Sequence, residues 1–255
     1  MVEIKTDASV EAMREAGRVV GQALAAVREV AAVGVTLREL DEVAREVLRK
    51  AGAGSPFLDY HPDWAPVPFP AVICASVNDA IVHGIPTTYR LRDGDLVSID
   101  CGATLNGWVG DSAVTFTVGR AREEDVRLIE TARAALDAGI AAAVVGNRIG
   151  DIAHAVGTVC RKAGYGIPDG FAGHGVGRTM HEGPDVPNEG RPGRGMKLRH
   201  GMVIAIEPMV IAGGGDEFRH AADGWTLATC DGSRAAHAEH TVAVTDHGPR
   251  ILTLP

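Results

Sequence analysis

The chain has 255 residues, enough for a large buried core and, by length alone, for one or two domains. Apolar residues make up 45% and charged residues 23%, an ordinary globular balance that excludes disorder. A net charge of −8 with no long Lys/Arg run excludes a nucleic-acid groove as the main working surface, and is compatible with substrates that are free amines.

In chain order, the N-terminus Met1-Val2-Glu3-Ile4-Lys5 lacks the basic-then-apolar build of a signal peptide, and no apolar run approaches the roughly 20 residues of a membrane helix. Val10, Met13, Ala16, Val20, Leu24 and Val27 predict a helix over about 9–31, with Asp7 or Ser9 as its cap. Thr36-Leu37-Arg38-Glu39 has the form of a capping box opening a second helix, which Gly52 would stop. Residues 54–70 carry five prolines with Phe57, Tyr60, Trp64 and Phe69 among them, and read as an ordered, irregular loop. Strands are expected at 72–77 and 96–103, with Asn106-Gly107 as a hairpin turn into 108–118. Helices follow at roughly 122–145 and 150–163, then a Gly-rich loop at 170–177, a strand at 202–211, and a last pair of strands near 225–230 and 236–245. These elements describe an α+β fold, with helices on one face of a curved, mostly antiparallel sheet and the functional site on the other. Cys74, Cys101, Cys160 and Cys230 form no C-x-x-C pair, so reduced thiols in a cytoplasm are expected.

The chain repeats itself. Leu-Arg-Asp-Gly-Asp-Leu-Val-Ser-Ile-Asp at 91–100 matches Leu-Arg-His-Gly-Met-Val-Ile-Ala-Ile-Glu at 198–207, and Arg49-Lys50-Ala51-Gly52 matches Arg161-Lys162-Ala163-Gly164. The duplication implies one domain over 1–255 with pseudo-symmetric halves of about 1–120 and 121–255. Packing them about a twofold axis would bring Asp100 and Glu207 together. Two acids that close need a cation or shared protons.

Asp111 lies across the hairpin turn from Asp100. A turn centred on Leu105-Asn106 would set the two directly opposite, and one centred on Asn106-Gly107 would make them diagonal neighbours; both put them on one face, about 4.5–8 Å apart at Cβ. Following the repeat, residues 110–115 correspond to 238–243, so Glu239 takes the place of Asp111. His174, between Gly173 and Gly175, adds an imidazole where backbone can approach closely. Four carboxylates and one imidazole suit two adjacent divalent ions such as Mn, Fe, Co or Zn better than a structural zinc. His83 and His181, each ahead of a Gly and a Pro, are candidate proton carriers and hydrogen-bond donors. His61, His154, His200, His220, His237 and His247 have no comparable context.

Ser98-Ile99-Asp100, Gly110-Asp111, Gly173-His174-Gly175-Val176-Gly177-Arg178, His181-Glu182-Gly183-Pro184, Ile206-Glu207-Pro208 and Glu239-His240-Thr241 resemble the type I methionine aminopeptidases of the pita-bread fold. The resemblance runs from the first helix to the last strand and implies the short bacterial form. It implies that Asp100, Asp111, His174, Glu207 and Glu239 bind two metal ions, with a bridging water or hydroxide as nucleophile and Glu207 as proton shuttle. It also implies that His181 polarises the scissile carbonyl or stabilises the oxyanion, that His83 contacts the scissile amide nitrogen, and that Phe69, Cys74, Trp225 and Tyr60 line a methionine pocket. The implied substrates are nascent polypeptide N-termini with a small second residue. The implied setting is cytoplasmic, as a monomer, with transient ribosome contact and neither a specific nucleic acid nor a membrane as partner. Two departures stand out: Met180 occupies a position often aromatic in such enzymes, and the 54–70 loop is longer than in the enterobacterial type. Prolidases and aminopeptidases P share the five ligands but normally carry a whole domain ahead of them. A non-catalytic pita-bread binding protein would be expected to have lost ligands, and here all five are present.

Overall fold

The computed structural model describes residues 2–255. Helix α1 spans Asp7–Val30 and buries Val10, Met13, Ala16, Val20, Leu24 and Val27, the stripe expected from the spacing. Its cap is neither Asp7 nor Ser9 but Thr6, whose side chain accepts from the Ser9 N–H. Helix α2 spans Leu37–Lys50 and opens on the full capping box, with the Thr36 N–H bonded to the Glu39 carboxylate and the Glu39 N–H to the Thr36 hydroxyl. Loop 54–70 is irregular, as its prolines require, yet it closes on itself through paired backbone bonds between Asp59, Tyr60 and Phe69.

Strands β1 (Ile73–Val77), β2 (Ala80–Val82), β3 (Leu96–Leu105) and β4 (Trp108–Thr117) follow, then α3 (Glu123–Ala142) and α4 (Ile149–Lys162). The second half continues with β5 (Ala172–Gly175), β6 (Glu182–Pro187), β7 (Val203–Ile206), β8 (Met209–Ile211), β9 (Phe218–His220), β10 (Leu227–Thr229), β11 (Ala235–His237), β12 (Glu239–Thr245) and β13 (Gly248–Ile251). Several expectations are corrected here. The Gly-rich 170–177 segment contains a strand rather than only a loop, and 202–211 is two strands because Pro208 has no N–H to donate. Residues 227–229 do not pair with 239–245; β10 joins β2 and β9 in a small separate sheet. β2, β6, β9 and β13 have no counterpart among the expected elements, being short or rich in Pro and polar residues.

The main sheet has eight antiparallel strands in the order β1-β3-β4-β12-β7-β5-β6, with β13 beside β12, so both halves build it and they meet at β4 and β12. There Ala113 faces Glu239, and Asp111 is tied to Thr241 by two bonds to its hydroxyl. Exchanging the two strands leaves this pairing unchanged, as a twofold axis between them requires. Strand alternation divides the faces. Val97, Ile99, Cys101 and Ala103 of β3 pack with Val20, Leu24 and Leu40 of α1 and α2, while Ile204, Ile206, Val242 and Val244 pack with Leu128, Ile152 and Val156 of α3 and α4. The intervening positions, Asp100 and Glu239 among them, are left for the opposite face.

Candidate active site

The hairpin joining β3 and β4 turns on Asn106-Gly107, both with positive φ, and Leu105 pairs with Trp108. Asp100 therefore faces Ala113 and Asp111 faces Gly102, the diagonal of the two arrangements the sequence allowed. In the other half, β7 pairs with β12 and β8 with β11 in one continuous register, carried across the break by the Ala238 N–H to Pro208 carbonyl bond. Extending that register sets Glu207 directly opposite Glu239. Asp100, Ala113, Glu239 and Glu207 thus form one row across four strands, with Asp111 diagonal to the acids on either side of Ala113.

His174 enters from β5. Its Nε2 lies 3.7 Å from Asp111 Oδ2 and 3.6 Å from Glu207 Oε1. Its Nδ1 is 2.9 Å from the Gly175 carbonyl, which can only accept, so Nδ1 keeps a proton and Nε2 is the nitrogen that would ligate a metal on losing its own. The flanking glycines are required by packing: a Cβ on Gly173 would collide with the Ala205 carbonyl, and one on Gly175 with the Gly183 carbonyl.

These acids cannot all be ionised without a counter-charge. Two carboxylates about 4 Å apart repel by about 4 kcal/mol at an effective dielectric of about 20. Burial, then the Asp111 and Glu207 charges, pushes both Asp100 and Glu239 well above the usual carboxylate range. Burial opposes charge on His174, but Asp111 and Glu207 outweigh it and push the imidazole up to about 9. For Glu207, burial is outweighed by His237 and His174, which pull its carboxyl down. Asp100 Oδ1, Asp111 Oδ1 and Glu239 Oε1 are buried with no hydrogen-bond partner among the described residues. Orphaned carboxylate oxygens at about 1–3 kcal/mol or more apiece are what bound cations would relieve. Asp111, His174 and Glu239 can each offer one atom within 4.8 Å of the others, and so can Glu207, His237 and Glu239. Oxygen-rich sets with one imidazole fit divalent Mn, Fe, Co or Zn.

The acids floor a cavity of about 590 Å³ that also admits His83, His181, Tyr60, Phe69, Cys74 and Trp225. All eleven residues singled out from the sequence therefore border one space. Phe69 meets Trp225 edge-on at 5.0 Å, and Tyr60 lies 6.4 Å from Trp225 and 5.6 Å from His181. The Trp225 indole donates to the Val67 carbonyl, pinning loop 54–70 to the second half, while buried Asp41 accepts from Val72 and Ile73 and fixes the strand bearing Cys74. Sequence reasoning missed Phe57, Trp64, Phe171 and Met209 as lining residues. Trp64 stacks on His83, with ring centroids 6.4 Å apart, and lines the cavity from loop 54–70. Met180, the departure noted in the sequence, packs partly buried against the Phe69 and Trp225 cluster as an unbranched apolar filler. His237, set aside as featureless, is buried with Nε2 3.5 Å from Glu207 Oε2. Its signal was available: it lies two residues before Glu239 on the same strand face.

Comparison with known proteins places this arrangement. The chain is 52% identical to methionine aminopeptidase 1 of Mycobacterium tuberculosis, over 100% of its own length and 96% of the relative's. It is 46% identical to the methionine aminopeptidase of Clostridium acetobutylicum, over 100% and 99%. The crystal structure of the Thermotoga maritima methionine aminopeptidase superposes with a TM-score of 0.95 at 39% identity, covering all of both chains. The prolidase of Pyrococcus furiosus superposes less closely, with a TM-score of 0.78 at 25% identity, and this chain covers only 65% of it. The model of metallopeptidase family M24 matches residues 11–246, and the chain belongs to that family.

Proposed function

We propose that this chain is a methionine aminopeptidase that removes the initiator methionine from protein N-termini with a small second residue, its two halves forming one catalytic domain. Asp100, Asp111, His174, Glu207 and Glu239 hold two divalent ions, drawn from Mn, Fe, Co or Zn. The observation that carries this reading is the row of acids from both halves, lying beside an apolar wall of Phe69, Cys74 and Trp225 in one cavity.

When bound, the ions activate a water for attack and polarise the scissile carbonyl. Glu207 takes the proton released by the attacking water and returns it to the leaving amine. With the Tyr60 hydroxyl, 3.4 Å from His181 Nδ1, donating to that nitrogen, His181 Nε2 carries the proton and is the donor to the oxyanion. Burial and the neighbouring His174 hold His181 below its ordinary pKa, and burial lowers His83 to about 4, so both act as neutral imidazoles near pH 7. His83 contacts the scissile amide nitrogen. The acids anchor the free α-amine, and Phe69, Cys74 and Trp225 take the thioether, for which sulfur-aromatic contacts contribute about 0.3–1.5 kcal/mol. That is weak beside shape, so the amine and the depth of the wall do most of the selecting. Trp64 over His83 narrows the side from which the rest of the peptide leaves. The setting is the cytoplasm, at nascent chains and with transient ribosome contact, as a monomer. Free, buried Cys74, Cys101 and Cys160 suit a reducing compartment, and no described helix is long and apolar enough to cross a membrane.

The test is release of the first residue from Met-Ala, Met-Leu, formyl-Met-Ala and Ala-Pro peptides under each metal. Rapid release from Met-Ala alone is expected. Equal release from formyl-Met-Ala would refute amine anchoring, and preferred cleavage of Ala-Pro would place the chain with the aminopeptidases P.

A further inference from the structure

The two oxygens of Glu207 face two different imidazoles. Oε1 is 3.6 Å from His174 Nε2, and Oε2 is 3.5 Å from His237 Nε2. His174 belongs to the ligand set, whereas His237 has no assigned part. It is 2% exposed, and its Nε2 has no hydrogen-bond partner among the described residues, a costly state for a buried polar atom.

The position of His237 is imposed by the sheet. It pairs with Met209, two residues beyond Glu207 on the facing strand, so its side chain lies one diagonal step from Glu207 and on the same face as Glu239. Its backbone is clipped on both sides by one side chain: the His237 N–H donates to Thr115 Oγ1 at 2.9 Å, and Thr115 Oγ1 donates to the His237 carbonyl at 2.7 Å. With its proton so used, Thr115 Oγ1 accepts from the Ser98 hydroxyl at 2.7 Å. All three residues are buried. An imidazole on so fixed a base can orient the side chain of Glu207, which stands beside the strand break at Pro208.

We propose that His237 is a positioning residue: its Nε2–H donates to Glu207 Oε2 and holds the carboxylate with Oε1 turned toward the other metal donors. The 3.5 Å separation exceeds a good hydrogen bond by about half an ångström, which a small rotation of the Glu207 side chain closes. Glu239 is the less suited acceptor, its Oε2 being 3.9 Å away. The inference rests on the reading of Glu207 as a metal ligand and adds a donor behind it. Such outer donors orient a ligand, and their loss typically costs about 10–100-fold in metal affinity or activity.

The experiment is calorimetric titration of the metal-stripped protein with MnCl₂ or CoCl₂, paired with steady-state cleavage of a Met-Ala peptide and a thermal melt. His237→Leu keeps bulk and removes the donor; His237→Gln keeps an N–H donor of similar reach; His237→Asn keeps the amide but falls short. His237→Leu is expected to weaken metal binding about 10–100-fold and to lower kcat by a similar factor with KM within about twofold. His237→Gln should recover metal affinity to within about threefold. Wild-type metal affinity in folded His237→Leu would overturn the proposal, as would a folded His237→Gln as defective as His237→Leu. If His237→Leu does not fold, the pair His237→Gln and His237→Asn decides: equal metal affinity in the two overturns it, and weaker binding by His237→Asn supports it. Failure of the wild-type protein to take up either metal would instead overturn the metal reading itself, and this inference with it.

Discussion

The acid row and the aromatic wall face each other across one cavity but are built in opposite ways. Every acid stands on or beside a strand whose register is set by backbone ladders, so a shift of one residue would send it to the helix side. The wall comes from an irregular loop, a strand end and a residue of the second half, held by side-chain contacts such as the Trp225 to Val67 bond. Rigid placement serves the charges, because their mutual repulsion is tolerable only in a geometry that cations can neutralise. Looser placement suffices for an apolar wall, since apolar contact is non-directional. Substitutions in the row should therefore act on chemistry, and those in the wall on binding and stability.

The sharpest test of that contrast is Asp111→Asn, which preserves shape and removes a charge the ions need. Activity should fall to background with an unchanged circular dichroism spectrum, and full turnover by a metal-replete sample would break the assignment of the row. Next in size is His181→Ala. As a donor acting in the transition state, it should lower kcat by about 10²–10³ with little change in KM, and a pure KM effect would move His181 to the binding side of the comparison. Trp225→Ala should do the reverse. It should raise KM, and its melting curve should report about 3–5 kcal/mol of lost stability from a buried indole, so an unaltered melt would show the wall to be less packed than its 3% exposure indicates.

A subtler probe is pH. In the folded, metal-free protein burial lowers His83 to about 4, from an ordinary value near 6.5. Between those values the unfolded chain binds a proton there that the fold refuses, so this residue's contribution to stability is present above about 6.5 and is lost as pH falls toward 4. NMR of the His83 ring should show it neutral at pH 5; a midpoint near 6.5 would contradict its burial. The smallest effect is expected from Tyr60→Phe. Its hydroxyl sits at the cavity mouth 3.4 Å from His181, and its loss should cost no more than about tenfold in kcat, read from the same peptide assay.

The split between row and wall is also a split in what could be read in advance. Both acids of each half were legible because a duplicated strand ending in a carboxylate, and an Asn-Gly turn, carry their geometry in local sequence. His237 was equally local and was overlooked, since alternation from Glu239 places it on the acid face. Phe57, Trp64, Phe171 and Met209 had no such signal. Their side chains reach the cavity from a proline-interrupted loop and two separate strand ends, and no period links positions in a segment without regular structure.

The sequence by itself determined the helices, the long hairpin, the duplication and the identity of the acids, because each depends on capping residues, turn chemistry or spacing within a few positions. Only the tertiary structure decided that Asp100 and Asp111 stand diagonally, that Glu207 stands opposite Glu239, and that Thr6 rather than Asp7 caps the first helix. It alone decided which strand lies beside which, so that residues 113 and 239 meet where two halves join. Such pairings are chosen by the burial of whole faces against helices far along the chain, a sum over many contacts that no local stretch contains.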